Sequence, residues 1–143
     1  MKEGRFAFSP TQGRLRQLRA EVRAAATKLG APEPMCDRVA LVVDELVNNA
    51  IEHGAVYRHR GLDLAVSIGS KEGRLSVEFF DPEMPEATVR ELATALADAG
   101  NGMPSLENER GRGLFLLSVY LDDLRAEVGA GGGMVLHGLL ARS

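Results

Sequence analysis

Residues 44–54 read DELVNNAIEHG. At about 100° per residue on a helix, Val39, Val42, Val43, Leu46, Val47, Ala50 and Gly54 fall on one broad apolar stripe. Glu45, Asn49 and Glu52 fall on the other side, near one another, with Asn48 on the flank. Glu45 and Asn49 are four residues apart, which makes their side chains neighbours one turn apart. Asparagine is a modest helix former because its side chain competes for backbone hydrogen bonds, so an adjacent pair inside a helix asks for another reason. A carboxylate and an amide carbonyl are hard oxygen donors, suited to Mg²⁺ carried in on a nucleotide. The carboxylate could equally take a proton from a hydroxyl or a water. A solvated helix face is the ordinary alternative.

A second cluster is ERGRGLFLL, residues 109–117. Gly111 and Gly113 open an apolar helix directly after a polar loop, where unpaired N–H groups and the positive end of the helix dipole face an anion. Arg110 and Arg112 add charge suited to a polyphosphate. The third feature is Asp81, at the end of an apolar strand pattern. It is either a turn residue or an acceptor for an exocyclic amine such as that of adenine.

These groups need elements to carry them. Residues 5–9 alternate and predict a short strand. Residues 12–29 place Leu15, Leu18, Val22, Ala25 and Leu29 at helical spacing, with Gly30 as the stop. Residues 31–34 predict a turn, and residues 35–53 a second helix ended by Gly54. Alternation over 62–68 and 75–79 predicts two strands joined by a loop of several residues at 69–73. Residues 81–86 form a proline-interrupted loop and 87–99 a third helix. Residues 100–113 hold several breakers and few apolar groups; a loop this long is uncommon unless it is a lid or a binding loop. Residues 114–121 predict a short apolar helix, and 124–128 and 134–140 two final strands joined by a glycine turn at 129–133. This order predicts an α/β two-layer sandwich, a mixed, largely antiparallel sheet with helices on one face.

The chain has 143 residues, 45% of them apolar and 26% charged, which suits one domain with its own core. A formal net charge of -3 gives no electrostatic footprint for nucleic acid. Arg14, Arg16 and Arg19, mixed with Glu21, predict a solvated helix face. The one cysteine, Cys36, forms no intrachain disulfide, and the three histidines, His53, His59 and His137, have no zinc spacing. No signal-peptide pattern or span-length apolar run is present, so the expected location is cytoplasmic, without membrane contact.

In combination, RFAFSPTQGRLRQLR, LVVDELVNNAIEHG and GRGLFLLSVYLDDL resemble the histidine-kinase-like ATPase (GHKL) superfamily, in particular its single-domain branch of bacterial anti-sigma factor serine/threonine kinases. The resemblance spans nearly the whole chain, and motif order rather than composition carries it. It implies the Bergerat fold over residues 1–143, with an ATP lid at 100–113 and ATP and Mg²⁺ as cofactors. It implies Glu45 as general base toward a serine hydroxyl on a partner, and Asn49 as the Mg²⁺ ligand with Asn48 nearby. Asp81 matches the adenine-binding Asp, Gly111 and Gly113 the phosphate-cradling glycines, and Arg110 a phosphate or partner contact. His53 matches a position often held by His in this branch, although a histidine at a helix C-terminus also has the dipole to explain it. The implied partners are a sigma factor and an anti-sigma-factor antagonist, and the implied assembly a homodimer. No transducer domain or phosphoacceptor-histidine segment suggests a complete sensor kinase.

One stretch departs from the family. Its adenine-binding Asp is normally followed by x-Gly-x-Gly, and here Asp81 is followed by Pro82, Glu83, Met84 and Pro85. Glycines let backbone pass close to a ligand; proline has a fixed φ and no N–H; Glu83 brings negative charge toward a site for polyphosphate. Two functions follow. One is an ATP-dependent kinase that is also an anti-sigma factor. The other is a protein-sequestering switch on the same fold, with nucleotide binding weakened or lost.

Overall fold

Alternating apolar side chains build the sheet and 3.6-residue periodicity builds the layer above it. The computed structural model describes residues 2–10, 14–100 and 116–141. Its elements run β1 (Lys2–Phe8), α1 (Leu15–Lys28), α2 (Glu33–Gly54), β2 (Leu64–Lys71), β3 (Arg74–Asp81), α3 (Glu86–Gly100), β4 (Leu121–Val128) and β5 (Met134–Leu140). Residues 116–120 are helical and lead straight into β4. The strands form one five-stranded sheet in the order β1-β2-β3-β5-β4. Among the described residues every pairing is antiparallel, so the sheet is more uniform than the mixed arrangement expected.

The core lies between the helices and one sheet face. Phe8, Val66, Ile68, Val77, Phe79 and Leu136 face Leu18, Val22, Val39, Val43 and Val47. Along β3 buried and half-buried residues alternate without a break, from Leu75 through Val77 and Phe79 to Asp81. That alternation puts Asp81 on the core face of the sheet, where its carboxylate is 0% exposed.

Several boundaries differ from the sequence expectation for physical reasons. The second helix begins at Glu33 rather than at residue 35 because proline is tolerated in a first turn, and Pro34 stands there with Pro32 as the N-cap. The loop expected at 69–73 is a two-residue turn. Lys71 pairs with Arg74, and Glu72 and Gly73 both take positive φ, 54° and 77°, the type I′ geometry that matches strand twist. The fourth strand begins at Leu121, three residues before the expected start. A register shift between Asp122 and Arg125, with Asp123 at φ 53°, breaks the alternation that would have revealed it.

The basic face of α1 does more than meet solvent. Arg19 is paired with Asp44 at 2.8 Å and Arg23 with Asp37, so both arginines tie α1 to α2. The first acid of DELVNN is thereby a structural partner, while the second, Glu45, points elsewhere.

Candidate functional site

The apolar stripe of α2 presses the helix onto the sheet. Val39, Val42, Val43, Leu46, Val47 and Gly54 are buried, and Ala50 is half-buried. This anchoring sets the rotation of the helix and carries Glu45, Asn48 and Asn49 to its half-buried margin, while Glu52 is exposed. Asn49 borders a cavity together with Leu46, Ala50 and His53 of α2, Phe79 and Asp81 of β3, Met84, Leu92 and Leu117. Asn49 and Asp81, carried by separate elements, therefore meet at one site, and Glu45 lies one turn before Asn49 on the same helix. His53 also lines the cavity. The side chains of Glu45, Asn48 and Asn49 take no part in the hydrogen bonds that the described residues make with one another. Arg110, Gly111 and Gly113, and residues 101–113 of the expected lid, lie outside the described residues.

The opposite wall is tightly bonded. After Gly54 the backbone turns back on itself: the N–H groups of Tyr57 and Arg58 both donate to Gly54 O, at 3.1 and 2.9 Å. The turn delivers both side chains to Asp81. Arg58 Nη1 donates to Asp81 Oδ1 at 3.0 Å and Arg58 Nη2 to Oδ2 at 2.9 Å, a bidentate fork. Tyr57 Oη donates to Oδ2 at 2.7 Å, and the backbone N–H of Glu83 to Oδ1 at 3.2 Å. A carboxylate offers about four lone-pair sites, and these four donors use them. Arg58 Nη2 also donates to Ala50 O, near the C-terminal end of α2, at 3.2 Å.

Burial agrees with this bonding. The Arg58 side chain is 8% exposed and that of Asp81 0%. Burial and the adjoining Asp81 carboxylate push the Tyr57 hydroxyl well above the usual tyrosine range, so it stays a donor. Burial alone would lower the pKa of Arg58, but the hydrogen bonds and charge of Asp81 raise it on balance.

The loop after Asp81 completes the closure. Glu83 does not direct its charge toward a phosphate site, as its sequence position implied. Its Oε1 accepts from the backbone N–H groups of His59 and Arg60, at 3.1 and 2.7 Å, and its Oε2 from that of Leu62 at 3.0 Å. Slight desolvation would raise its pKa, yet these donors lower it below the ordinary carboxylate value. Glu83 thus staples the loop to the linker that carries Arg58. Met84 turns inward, buried against the cavity. Gly133, at φ +72°, lets β5 start against this corner, since a Cβ there would lie 2.6 Å from Asp81 O.

Residues of α2 and of β3 fit a nucleotide unequally. The amide and carboxylate oxygens of Asn49 and Glu45 have the donor chemistry of a hard-cation site. The Asp81 end does not fit adenine as it stands. Its acceptors are used, and the cavity beside it measures about 40 Å³, against roughly 300–1,000 Å³ for a small-molecule site. Among the described residues no cluster of three or more His, Cys, Asp or Glu could hold a metal by itself. No helix of the described residues is long and apolar enough to cross a membrane.

Sequence reasoning did not single out Arg58, Tyr57 or the stapling role of Glu83. The available signals were two: a Tyr-Arg pair just after the glycine that ends α2, and non-glycine residues at 83 and 85 in the same chain.

Comparison with known proteins agrees with this fold. The family model described as the histidine kinase-like ATPase domain matches residues 8–137. No curated protein matches the chain. Among solved structures, one chain from the crystal structure of the SiaB-SiaC complex from Pseudomonas aeruginosa superimposes with a TM-score of 0.75 at 15% identity, covering 97% of this chain and 89% of that one. At that identity the likeness establishes the shared fold. With the family match spanning nearly the whole chain, the protein belongs to the histidine kinase-like ATPase domain family.

Proposed function

We propose that the chain is an anti-sigma regulatory protein with ATP-dependent serine/threonine kinase activity, binding a sigma factor and phosphorylating an antagonist protein. The observation that carries this reading is the Glu45–Asn49 pair. The two residues lie one turn apart on the half-buried margin of α2, Asn49 borders the Asp81 cavity, and neither side chain is spent on the internal hydrogen bonds of the described residues. Glu45 would accept the proton of a partner's serine hydroxyl. Asn49, with Asn48 beside it, would offer its amide oxygen to Mg²⁺. Arg110, Gly111 and Gly113 would contact phosphate. ATP, when bound, supplies the phosphoryl group, and the protein's part is positioning and charge stabilisation. The protein would act in the cytoplasm as a homodimer. The same fold in a chain of the SiaB-SiaC complex supports a protein partner.

A second reading is favoured by the bonding of Asp81: a switch that sequesters its partner with little or no chemistry. Labelled Mg-ATP incubated with a candidate antagonist protein, with partner binding measured in parallel, separates the two. The kinase reading expects label on the antagonist, and loss of label with Glu45→Ala while partner binding persists. Transfer by Glu45→Ala at the wild-type rate contradicts the role of Glu45. Partner binding without any transfer supports the switch.

A further inference from the structure

The carboxylate that the resemblance assigns to adenine is occupied from within. We infer that Arg58 is a specificity-determining residue whose guanidinium stands in for the base at Asp81, so that this domain does not read adenine until Arg58 moves. The inference rests on the nucleotide-binding reading above and deepens it.

Two features carry this, valence and attachment. Asp81 accepts four hydrogen bonds, two of them from Arg58, and an ionised carboxylate has about four sites to give. An exocyclic amine approaching Asp81 finds no acceptor free. Displacing the Tyr57 hydroxyl or the Glu83 N–H frees one site each; displacing Arg58 frees two. Arg58 is held by a third contact, to Ala50 O at 3.2 Å, and its guanidinium lies 5.3 Å from the Tyr57 ring centroid, within the range of a cation–π contact.

The surrounding sequence suits this placement. Gly54 is the α2 residue over which the guanidinium passes, and a Cβ there would collide with Arg58. The linker that carries Arg58 is fixed by three N–H bonds to Glu83, a residue standing where the family has a glycine. The non-glycine loop and the arginine are thus two halves of one arrangement: the loop that would admit a base instead holds the linker of the residue that occupies Asp81.

The test is calorimetry of the wild-type chain and of Arg58→Lys and Arg58→Ala with Mg-ATP, Mg-GTP and inorganic tripolyphosphate, with thermal melts to establish folding. Lysine keeps the charge beside Asp81 but replaces the fork by a single point donor, which frees an acceptor without stranding the carboxylate. The wild type is expected to bind ATP and GTP equally, the base adding nothing to the triphosphate. Arg58→Lys is expected to tighten ATP about tenfold or more over wild type, with GTP unchanged. A wild type that already prefers ATP to GTP by about tenfold overturns the inference and leaves the kinase reading standing. A folded Arg58→Lys that binds ATP no tighter than wild type, yet still binds tripolyphosphate, also overturns it alone. Folded proteins that bind none of the three ligands overturn both.

Discussion

The two walls of the cavity are built on opposite principles. On the α2 side, Asn49 at the cavity and Glu45 one turn before it are half-buried polar groups held in place by the apolar stripe beneath them. Their side chains make no hydrogen bond with the other described residues. On the β3 wall, Asp81 is fully buried and meets the valence of its carboxylate from Arg58, Tyr57 and Glu83. A polar group kept for a ligand should cost the fold little when removed. A polar group built into the interior should cost a great deal, because its partner is left charged and dry. The comparison therefore sorts Glu45 and Asp81, both expected from the sequence to face a nucleotide, into different physical roles.

The sharpest way to break that comparison is by stability. Arg58→Ala strands the Asp81 carboxylate in the interior and should lower unfolding free energy by about 3–5 kcal/mol, visible in a denaturant titration as a shifted midpoint. Glu45→Ala should change it by no more than about 0.5 kcal/mol. Equal losses in the two variants would erase the distinction between the walls. A smaller effect comes from Glu83. Its pKa is lower in the folded protein than the ordinary value of 4.5, so its contribution is fully present above that pH. It is lost as pH falls from 4.5 through the folded value. Melting temperature should therefore drop on the acid side in the wild type, and Glu83→Gln should flatten part of that drop. An unchanged acid limb in Glu83→Gln would mean that the staple to residues 59–62 contributes nothing.

The α2 wall was legible in the sequence because helical periodicity converts residue spacing directly into facing. A buried stripe at Val39, Val43, Leu46 and Val47 leaves Glu45 and Asn49 only one margin to occupy. The places of β2, β3 and β5 along the chain followed in the same way from alternation and from the glycines that punctuate it. The β3 wall was not legible. Asp81 sits at a strand end, where an aspartate usually means a turn, and its partners lie 23 and 24 residues earlier in the linker YRHRG. No local period connects a linker arginine to a strand carboxylate; only the turn over Gly54 brings them together. The same holds for Arg19 and Asp44, 25 residues apart, which a helical plot of α1 alone assigns to solvent. Glu72 was missed for another reason: a glutamate at positive φ goes against side-chain preference, so the tight turn at Glu72 and Gly73 resembled a longer loop.

The measurement closest to the central claim is solution NMR of the Arg58 guanidinium, with its N–H signals assigned through Arg58→Lys. A guanidinium locked onto Asp81 in the ligand-free protein predicts resolved, slowly exchanging Nη signals with contacts to the Tyr57 ring, unchanged when Mg-ATP is added to the wild type. Averaged, rapidly exchanging signals in the free protein would contradict it, because Asp81 would then be open to a base.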